Sequence, residues 1–510
     1  MQSGMTFLID SNVVIAAEPF NGQLESRHPV VSQFMRLAGE HDHKVYVHPA
    51  TRDDLLETKD ERHRAQNLAA YEKYPALEEI SVPLEVLAQF PSPPKPNDER
   101  DARILAALHI GAVHFLVTDD ARMRKRASRL GHELRTLTPG EAASQLAAWH
   151  PKAPPPPPSV EELKTYALDV SQRIFDDLRA DYSPQFDDWM STVRAESAKR
   201  RAWVIRTSDG TYEALAIVKM SDDHPLVVGA HAVKLSTFKV SDSAAGRRLG
   251  ELMLKAVLRW AANEPGRPGE MFVEVDSKKT RMLDFLTDFG FNFVATKPGK
   301  PDEHIYLKVL DPPAGSTLDG LAFHVAHGPP AIRTGQPIFI VPITPEWYVD
   351  LFPDATVMGA SGVAVLPGTY TSLKPHGNAI RKAYLCKSPT KEVPPGATLL
   401  FYRSQGGKKG DGAVVAVGVA ERSRRSEDPI ETIELSFKRT VYSADDVAGL
   451  HEDGAPVLTI LFRHDRFLVP PWSLPELRAN RVVKSWPQSI VRLRDKEGIA
   501  WVEAKLEESH

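Results

Sequence analysis

A run of prolines at residues 151–158, with the sequence PKAPPPPP, interrupts the chain of 510 residues. Proline fixes its own φ angle and lacks a backbone N–H group, so neither a helix nor a central strand can pass through the run. Consecutive prolines adopt a stiff polyproline II conformation. We therefore expect a spacer between folded domains; a ligand for an SH3-type domain is the alternative for the same residues.

A second interruption, rich in proline and glycine, covers residues 311–335. The two interruptions leave three segments of domain size, as expected for a chain of this length. We predict folded domains at residues 1–150, 160–310 and 336–510, with linkers at 151–159 and 311–335.

The composition excludes several classes of protein. The hydrophobic share of 42%, the charged share of 25% and the mean hydropathy of −0.29 are ordinary for a globular protein. A net charge of −4 excludes a general polycation, so contact with nucleic acid would need local basic patches. The single cysteine, Cys386, excludes an intrachain disulfide and cysteine-rich zinc sites. No stretch reaches the roughly 20 apolar residues of a membrane span, and we expect a cytoplasmic protein without membrane contact.

In the first segment, strands alternate with helices, and acidic residues follow the strands. A short apolar strand ends at Asp10, a second strand precedes Asp54, and a third ends at Asp120, while Asp101 opens the helix before that third strand. This alternation predicts a parallel sheet, whose carboxyl edge gathers the residues that follow its strands. Carboxylates clustered at such an edge most often hold Mg²⁺ or Mn²⁺. A solvated, charged loop is the alternative.

The motifs of this segment resemble those of the PIN nuclease family: FLIDSN near the start, Asp54-Leu55 on a helix, DARILAA, and LVTDD. The resemblance implies a PIN-like parallel α/β sandwich and metal-dependent hydrolysis of phosphodiesters, usually in RNA. It assigns the metal-binding and catalytic positions to Asp10, Asp54, Asp101 and Asp120. It assigns supporting positions to Asn12, Thr118 and Asp119. The alternatives for inward-facing carboxylates are Asp53, Glu57 and Asp98.

A basic helix follows Asp120 directly. Its side chains are candidates for holding the phosphates that flank a cleaved bond, because cationic side chains supply most of the affinity for nucleic-acid backbones. The candidate residues are Arg122, Arg124 and Lys125.

The middle segment has a different pattern, in which helices precede a series of strands. A glycine-containing turn then joins a strand to an amphipathic helix, and Gly246 and Gly250 bracket two arginines in this turn. Backbone N–H groups at a helix N-terminus suit a diphosphate, and arginines add charged donors. An ordinary connecting loop is the alternative.

The sequence AAGRRLGELML of this turn resembles the pyrophosphate loop of GNAT-type N-acetyltransferases. Gly250 keeps the last glycine of the family pattern, whereas Arg248 stands at the inner glycine position and Ala245 at the basic one. The resemblance implies a GNAT-like mixed α/β domain that binds acetyl-CoA. It assigns the binding positions to Phe238, Lys239, Val240, Gly246, Arg247, Arg248, Leu249 and Gly250. Phe285 stands where a tyrosine often acts as general acid, and Tyr306 is the substitute donor; binding of CoA without efficient catalysis is the alternative.

From residue 337 onward, short apolar runs separated by glycine and proline turns predict a small β-barrel. Basic residues are interleaved with aromatic ones, which suits stacking on unpaired bases and contact with phosphates. The candidate RNA-binding residues here are Arg381, Lys382, Tyr402, Arg403, Lys408 and Lys409. A solvated surface with tyrosines in the core is the alternative.

The segments GNAIRKAYL, PPGATLLFYRS, VAVGVAE and PWSLPELRANRVVKSWPQSIVRL resemble the PUA-like ASCH domains. Such domains are associated with RNA, and a few with amide hydrolysis on modified nucleosides. The Gly-x-Lys…Glu signature of the hydrolytic kind is not intact in this chain, so the resemblance implies RNA binding.

The three resemblances lead to one main hypothesis and two alternatives. The main hypothesis is a Mg²⁺- or Mn²⁺-dependent endoribonuclease of structured RNA such as tRNA, with an acetyl-CoA-binding domain and an RNA-binding barrel. PIN and GNAT domains both recur in bacterial toxin–antitoxin and RNA-targeting systems, which implies a toxin–antitoxin or defence role. The first alternative is an N-acetyltransferase of an amine or an aminoacyl-tRNA, with the outer domains gripping RNA. The second is a non-enzymatic RNA-binding scaffold, favoured if Arg100, Arg103 or Arg122 engages the acids.

Overall fold

The structure is a computed structural model that describes residues 4–17, 28–150, 160–181, 184–207, 209–357, 374–404 and 412–508. Its residues form two compact units. The first unit consists of Met1–Ala153, Asp242–Arg247 and Asp428–Glu452, and the second consists of Pro154–Ser241, Arg248–Glu427 and Asp453–His510. The spacer expected at residues 151–158 lies outside the described residues.

Strands alternate with helices in the N-terminal segment. In chain order, its elements are β1 (Thr6–Ile9), α1 (Ser11–Ala16), α2 (His28–Glu40), β2 (Lys44–Tyr46), α3 (Pro49–Leu56), α4 (Glu61–Tyr71), α5 (Leu84–Leu87), α6 (Pro96–His109), β3 (Phe115–Val117), α7 (Ala121–Arg129), β4 (Thr136–Leu137) and α8 (Pro139–Trp149).

The middle segment is richer in strands. Its elements are β5 (Val160–Leu163), α9 (Asp176–Asp181), α10 (Phe186–Ala195), β6 (Arg200–Arg206), β7 (Tyr212–Asp223), β8 (His231–Val240), α11 (Leu249–Asn263), β9 (Glu270–Asp276), α12 (Thr280–Asp288), β10 (Asn292–Thr296), β11 (Glu303–Val309) and α13 (Gly320–His327).

The C-terminal segment contains the longest strands. Its elements are β12 (Ile338–Ile343), α14 (Pro345–Leu351), α15 (Pro353–Val357), β13 (Arg381–Cys386), β14 (Thr398–Arg403), β15 (Ala413–Ser426), α16 (Pro429–Ser436), α17 (Ala444–His451), β16 (Val457–Ser473), α18 (Leu474–Ala479), β17 (Val491–Arg492) and α19 (Lys496–Glu508).

The first unit is built on a parallel sheet in the order β2-β1-β3-β4, as the alternation predicts. Successive side chains of a strand point to opposite faces, and Phe7 and Leu8 of β1 are both fully buried. Leu8 packs in a cluster with Leu105 and Leu108 of α6, while the ring of Phe7 lies 5.4 Å from that of Phe34. Helices therefore cover both faces of the sheet, as the pattern of a parallel sheet requires.

Residues 428–452 complete the core of the first unit, although they are inserted between β15 and β16. Phe437 is fully buried, and its ring lies 4.3 Å from that of Phe115 and 4.9 Å from that of Trp149. Trp149 Nε1 donates a hydrogen bond of 3.1 Å to the carbonyl oxygen of Tyr442. Burial of a phenylalanine contributes roughly 1.5–3 kcal/mol, so the insertion is a structural part of this unit.

In the second unit, a seven-stranded sheet has the order β10-β11-β9-β8-β7-β6-β5. Its pairs are antiparallel except that β8 and β9 run parallel. Helix α11 covers it with an apolar face that includes Leu252, Met253 and Val257, all buried. The mixed α/β domain predicted for this segment is present.

The remaining strands of the second unit form a mixed six-stranded sheet in the order β13-β16-β15-β14-β12-β17. β15 and β16 pair along most of their lengths, and several bulges interrupt their register. In the part of the chain that is described, no pairing of β13 with β17 closes this sheet into the predicted barrel. The core beneath it contains Leu400, Tyr402, Val417 and Trp472. None of the described helices is both long enough and apolar enough to cross a membrane.

Candidate functional site

Asp10 ends β1 and caps α1 at the carboxyl edge of the parallel sheet. One oxygen, Oδ1, accepts the N–H of Ser11 at 2.7 Å. The other, Oδ2, accepts hydrogen bonds of 2.7 Å from both Asn12 Nδ2 and Thr118 Oγ1. Thr118 and Asn12 thus hold the Asp10 carboxylate in place.

Asp101 and Asp120 lie close enough to Asp10 for their charges to interact. Burial raises the pKa of Asp101 to about 7, and the carboxylates of Asp10 and Asp120 add to this effect. Burial also raises the pKa of Asp10, and the charges of Asp120 and Asp54 raise it further. The hydrogen bond from Thr118 lowers this pKa but does not outweigh burial. The four carboxylates therefore converge electrostatically, and we call Asp10, Asp54, Asp101 and Asp120 the carboxylate cluster.

Arginines already engage several acids of this region. Arg126 Nη1 lies 2.8 Å from Asp101 Oδ2, and its Nη2 lies 2.6 Å from Asp98 Oδ1. Arg100 donates bonds of 2.6 and 2.9 Å to Glu57, and its Nε lies 3.5 Å from Asp54. These pairs supply the positive charge that a divalent cation would otherwise bring.

One further arginine pairs with Asp53, an alternative acid, and with Glu79. Arg103 Nη1 lies 2.7 Å from Asp53 Oδ2, and its Nε lies 2.6 Å from Glu79 Oε1. Asp120 accepts the N–H groups of Arg122 and Met123 as the N-cap of α7.

The carboxylate cluster, in this arrangement, does not fit a divalent metal ion. Within the described residues, no three side chains of His, Cys, Asp or Glu gather in a way that could hold a metal. The expected Mg²⁺ or Mn²⁺ site is not supported, and neither is the nuclease activity that depends on it.

A different kind of site lies in the seven-stranded sheet. β8 and β9 pair only at Val233–Met271 and Lys234–Phe272. Beyond this point β8 continues along β7 to Val240, and β9 continues along β11 to Asp276. The two parallel strands therefore separate, which leaves one backbone edge of each without a strand partner. We call the opening between them the strand crevice.

The strand crevice contains a cavity of about 780 Å³, within the size range of small-molecule sites. Ser236, Thr237 and Phe238 of β8 line it from one side, and Val273 and Glu274 of β9 line it from the other. Of the acetyl-CoA positions that the resemblance assigns, Phe238 therefore faces the cavity. Its ring stacks on that of Phe285 at 5.6 Å.

Glu274 is the central charged side chain of the strand crevice. Its Oε2 lies 2.6 Å from Lys297 Nζ and 3.0 Å from Lys234 Nζ. Burial opposes the charged form of Lys297, but its hydrogen bonds to Glu274 and Glu303 outweigh this and raise its pKa. Sequence reasoning missed this group; the alternation of Val273, Glu274 and Val275 was the signal that could have found it.

The predicted pyrophosphate loop contains two residues with left-handed backbone conformations. Arg248, at the inner glycine position, has a φ of 57°, in the left-handed region that favours glycine. Gly246 has a φ of 82°, and a Cβ atom there would lie 2.0 Å from the carbonyl oxygen of Gly140 on α8. The loop is therefore packed tightly on α8 within the first unit.

The other predicted positions have structural partners. Lys239 forms an ion pair with Asp177, and Arg248 Nη1 lies 3.4 Å from Glu251 Oε1. Leu249 is buried in the first turn of α11. Tyr306 pairs in register with Val273, which places it on the same face of the sheet as a residue of the crevice.

The predicted RNA-binding residues of the C-terminal segment differ in their surroundings. Lys382 and Tyr402 are buried, with Lys382 Nζ donating to the carbonyl oxygens of His376 and Gly377, so they present no surface to RNA. Arg381 is bonded to Glu421 and Asp288, each at 3.1 Å.

The remaining predicted RNA-binding residues are Arg403, two lysines and the basic residues of α7. The guanidinium of Arg403 lies 5.2 Å from the ring centre of Tyr348. Lys408 and Lys409 lie outside the described residues. On α7, Arg122 and Lys125 are exposed and Arg124 is half-buried.

Comparisons with known proteins find solved structures that are similar to about a third of the chain. No family model matches the chain, and no curated protein matches it. The ASCH protein from Zymomonas mobilis, as its S128A mutant, is 15% identical over 34% of this chain and 98% of its own, with a TM-score of 0.24. An acetyltransferase from Thermus thermophilus is 19% identical over 31% of this chain and 100% of its own, with a TM-score of 0.25. A putative acyl-CoA N-acyltransferase from Klebsiella pneumoniae is 17% identical over 30% of this chain and 98% of its own, with a TM-score of 0.23.

The structural neighbours thus include GNAT acetyltransferases and ASCH proteins, each similar to about a third of this chain. At these identities and TM-scores they carry no argument about function. Nothing in these comparisons supports the PIN resemblance.

Proposed function

We propose that the chain is an acyl-CoA-dependent N-acyltransferase whose strand crevice holds the acyl thioester and the amine that attacks it. The observation that carries the proposal is the separation of β8 from β9 after two paired residues. An unpaired strand edge offers backbone N–H and C=O groups that a ligand can extend as a further strand would. The sequence resemblance of the following loop to the GNAT family supports acetyl-CoA as the donor.

The residues of the crevice suit the parts of such a reaction. Backbone N–H groups on the free edge of β8 can donate to the carbonyl oxygen, where negative charge develops. Glu274 can accept the proton of the attacking amine, because it is an acidic residue that lines the cavity. Acetyl-CoA supplies the activated acyl group: a C–N bond forms, the C–S bond breaks, and the thiolate leaves. Tyr306 is the candidate donor of a proton to that thiolate.

An aminoacyl-tRNA is the acceptor that we propose, with RNA contacts outside the crevice. The exposed side chains of Arg122 and Lys125 on α7 support this part of the proposal. Phosphate contacts need accessible cations, and these two remain accessible where Lys382 does not.

Calorimetric titration with acetyl-CoA tests the donor site. Ser236 lines the crevice, so Ser236→Trp should fill it and remove the binding that the wild type shows. Ser221→Trp places the same side chain at an exposed position of β7 and should leave binding unchanged. Absence of binding by the wild type would exclude the proposed function.

A further inference from the structure

A second cavity of the second unit, of about 560 Å³, lies where α11 meets the bulged part of β16. Lys255 and Arg259 of α11 line one side, and His464 and Arg466 of β16 line another. We call it the junction cavity. None of its residues belongs to the strand crevice, so it requires an explanation of its own.

The interior of the junction cavity brings together three cationic side chains. Lys255 and Arg259 are four residues apart on α11 and so share a face of the helix. Lys255 Nζ lies 2.7 Å from Asp354 Oδ2, and Asp354 is also the carboxylate that favours the charged form of Arg259. Arg466 Nε lies 2.6 Å from Asp465 Oδ2. Three cationic side chains therefore lie in this interior, beside the carboxylates of Asp354 and Asp465.

Three further charged side chains line the cavity nearer to solvent. Lys505 lies 2.8 Å from Glu508, with side chains that are 37% and 64% exposed. Glu476 also lines the cavity and is half-buried. Water screens such charges, whereas Lys255 is only 5% exposed and Arg466 only 8%.

His464 supplies a second observation that indicates a ligand. The residue is 1% exposed, and neither of its ring nitrogens has a hydrogen-bond partner among the residues that the structure describes. Burial and the nearby charge of Lys255 hold its pKa well below the usual range, so the ring is neutral and leaves one N–H donor and one acceptor unsatisfied. A buried polar group without a partner destabilises the fold, and a ligand that pairs with it removes this cost.

Apolar side chains complete the cavity. Pro330, Leu468 and Trp472 line it beside the charged residues. Its volume lies within the usual range for sites that bind small molecules, and its combination of apolar walls with a few convergent polar groups is typical of them.

We propose that the junction cavity binds a small molecule that carries a phosphomonoester on an apolar body of nucleotide size. Three cationic side chains can share the phosphate oxygens, Arg259 and Arg466 with the planar fork that suits them. His464 donates to or accepts from the body of the ligand, which lies along Trp472 and Pro330. This site is separate from the proposed acyltransferase site and does not depend on it.

Calorimetric titration of the full chain with AMP tests the proposal. Adenosine is the matched ligand without charge, and inorganic phosphate is the matched ligand without the apolar body. We expect AMP to bind at least about tenfold more tightly than either, because both halves of the site contribute. Equal affinity for adenosine and AMP, or no binding of AMP, would overturn the proposal.

His464→Phe locates the binding. Among the described residues, the ring nitrogens of His464 have no hydrogen-bond partner. The substitution should therefore leave the melting temperature unchanged or higher, while the affinity for AMP falls about tenfold. Acetyl-CoA binding should be unaffected, and Ser236→Trp should show the reverse pattern. AMP affinity that is unchanged in His464→Phe would place the nucleotide elsewhere and overturn the proposal.

Arg259→Met tests the charge, with Arg494→Met at an exposed position as the matched control. We expect Arg259→Met to lower the affinity for AMP by at least about tenfold and Arg494→Met to leave it unchanged. A melting temperature measured for each variant separates loss of the site from loss of the fold. Equal AMP affinities in these two variants would contradict a cationic site.

Discussion

The carboxylate cluster of the first unit and the strand crevice of the second both hold conspicuous charged residues, yet they differ in what the fold leaves open. In the cluster, Asp101 is paired with Arg126 and both oxygens of Asp10 accept hydrogen bonds from the protein. In the crevice, two parallel strands separate and leave a cavity of about 780 Å³ with a free backbone edge. A cluster of charges is therefore not sufficient for a binding site, which also needs a cavity lined by polar groups that can still bond to a ligand.

The largest effect expected in this comparison is a pH dependence of stability in the first unit. The pKa of Asp101, about 7 in the folded state, lies above its usual value of 3.8, so the folded state retains the proton longer. This stabilises the fold fully below about pH 4, and the contribution is lost as the pH rises towards 7, by up to about 4 kcal/mol. Urea denaturation between pH 4.5 and 8 should show the free energy of unfolding fall relative to Asp101→Asn.

Glu99→Gln is the matched control for that measurement, since Glu99 is exposed on the same helix. It should show the pH dependence of the wild type. A wild-type profile that is parallel to that of Asp101→Asn would show that the cluster does not hold a shifted carboxylate.

Removal of the arginine that neutralises the cluster should have the next largest effect. Arg126→Met leaves Asp98 and Asp101 unpaired, with side chains only 14% and 13% exposed. We expect a loss of about 3 kcal/mol in the free energy of unfolding, because an unpaired buried charge is costly. Arg129→Met, at an exposed position of α7, should change it by less than about 0.5 kcal/mol.

A double variant sharpens the same prediction. Asp98→Asn added to Arg126→Met should recover part of the lost stability, because it removes one of the two unpaired charges. If it lowers stability further instead, the arginine acts through packing on Phe90, whose ring centre lies 4.1 Å from the guanidinium, and not through charge.

In the strand crevice, Glu274→Gln should affect catalysis and not stability. Loss of the base should slow acetyl transfer about 100-fold while acetyl-CoA affinity is kept. Release of free thiol from acetyl-CoA, with bulk aminoacylated tRNA as the amine, measures the rate. Glu507→Gln, at an exposed position of α19, is the control and should match the wild type. A rate in Glu274→Gln equal to that of the wild type would remove Glu274 from the reaction.

The smallest effect concerns the exposed basic face of α7. Arg122→Ala combined with Lys125→Ala should weaken binding of bulk tRNA several-fold. The slope of the logarithm of the binding constant against the logarithm of the salt concentration should fall by about one for each lost contact. Binding assays at three salt concentrations measure both quantities. An unchanged salt dependence would show that this face does not contact RNA.

Local patterns in the sequence predicted much of the architecture, and distant contacts account for what it missed. The alternation in the first segment correctly predicts a parallel sheet, and Asp10 ends its first strand as expected. The insertion at residues 428–452 could not be assigned to the first unit, because nothing local in it indicates contact with Phe115 or Trp149.

The same limit explains the errors at the sites. The sequence places Arg126 near the acids along the chain, but only the packing of α7 against α6 pairs it with Asp98 and Asp101. Lys382 and Tyr402 stand in strands that read as an alternating surface, yet both of their side chains are buried. Burial of a lysine depends on distant carbonyl groups that satisfy it, here those of His376 and Gly377.

Hydrogen exchange of the backbone amides of β8, with and without acetyl-CoA, tests the central claim most directly. β8 is free of β9 beyond Lys234, so its exposed edge can be protected only by a ligand in the strand crevice. We predict slower exchange in peptides covering residues 235–240 when acetyl-CoA is added, and no change there in Ser236→Trp. Unchanged exchange in these residues at saturating acetyl-CoA would contradict the assignment of the strand crevice as the acyl-CoA site.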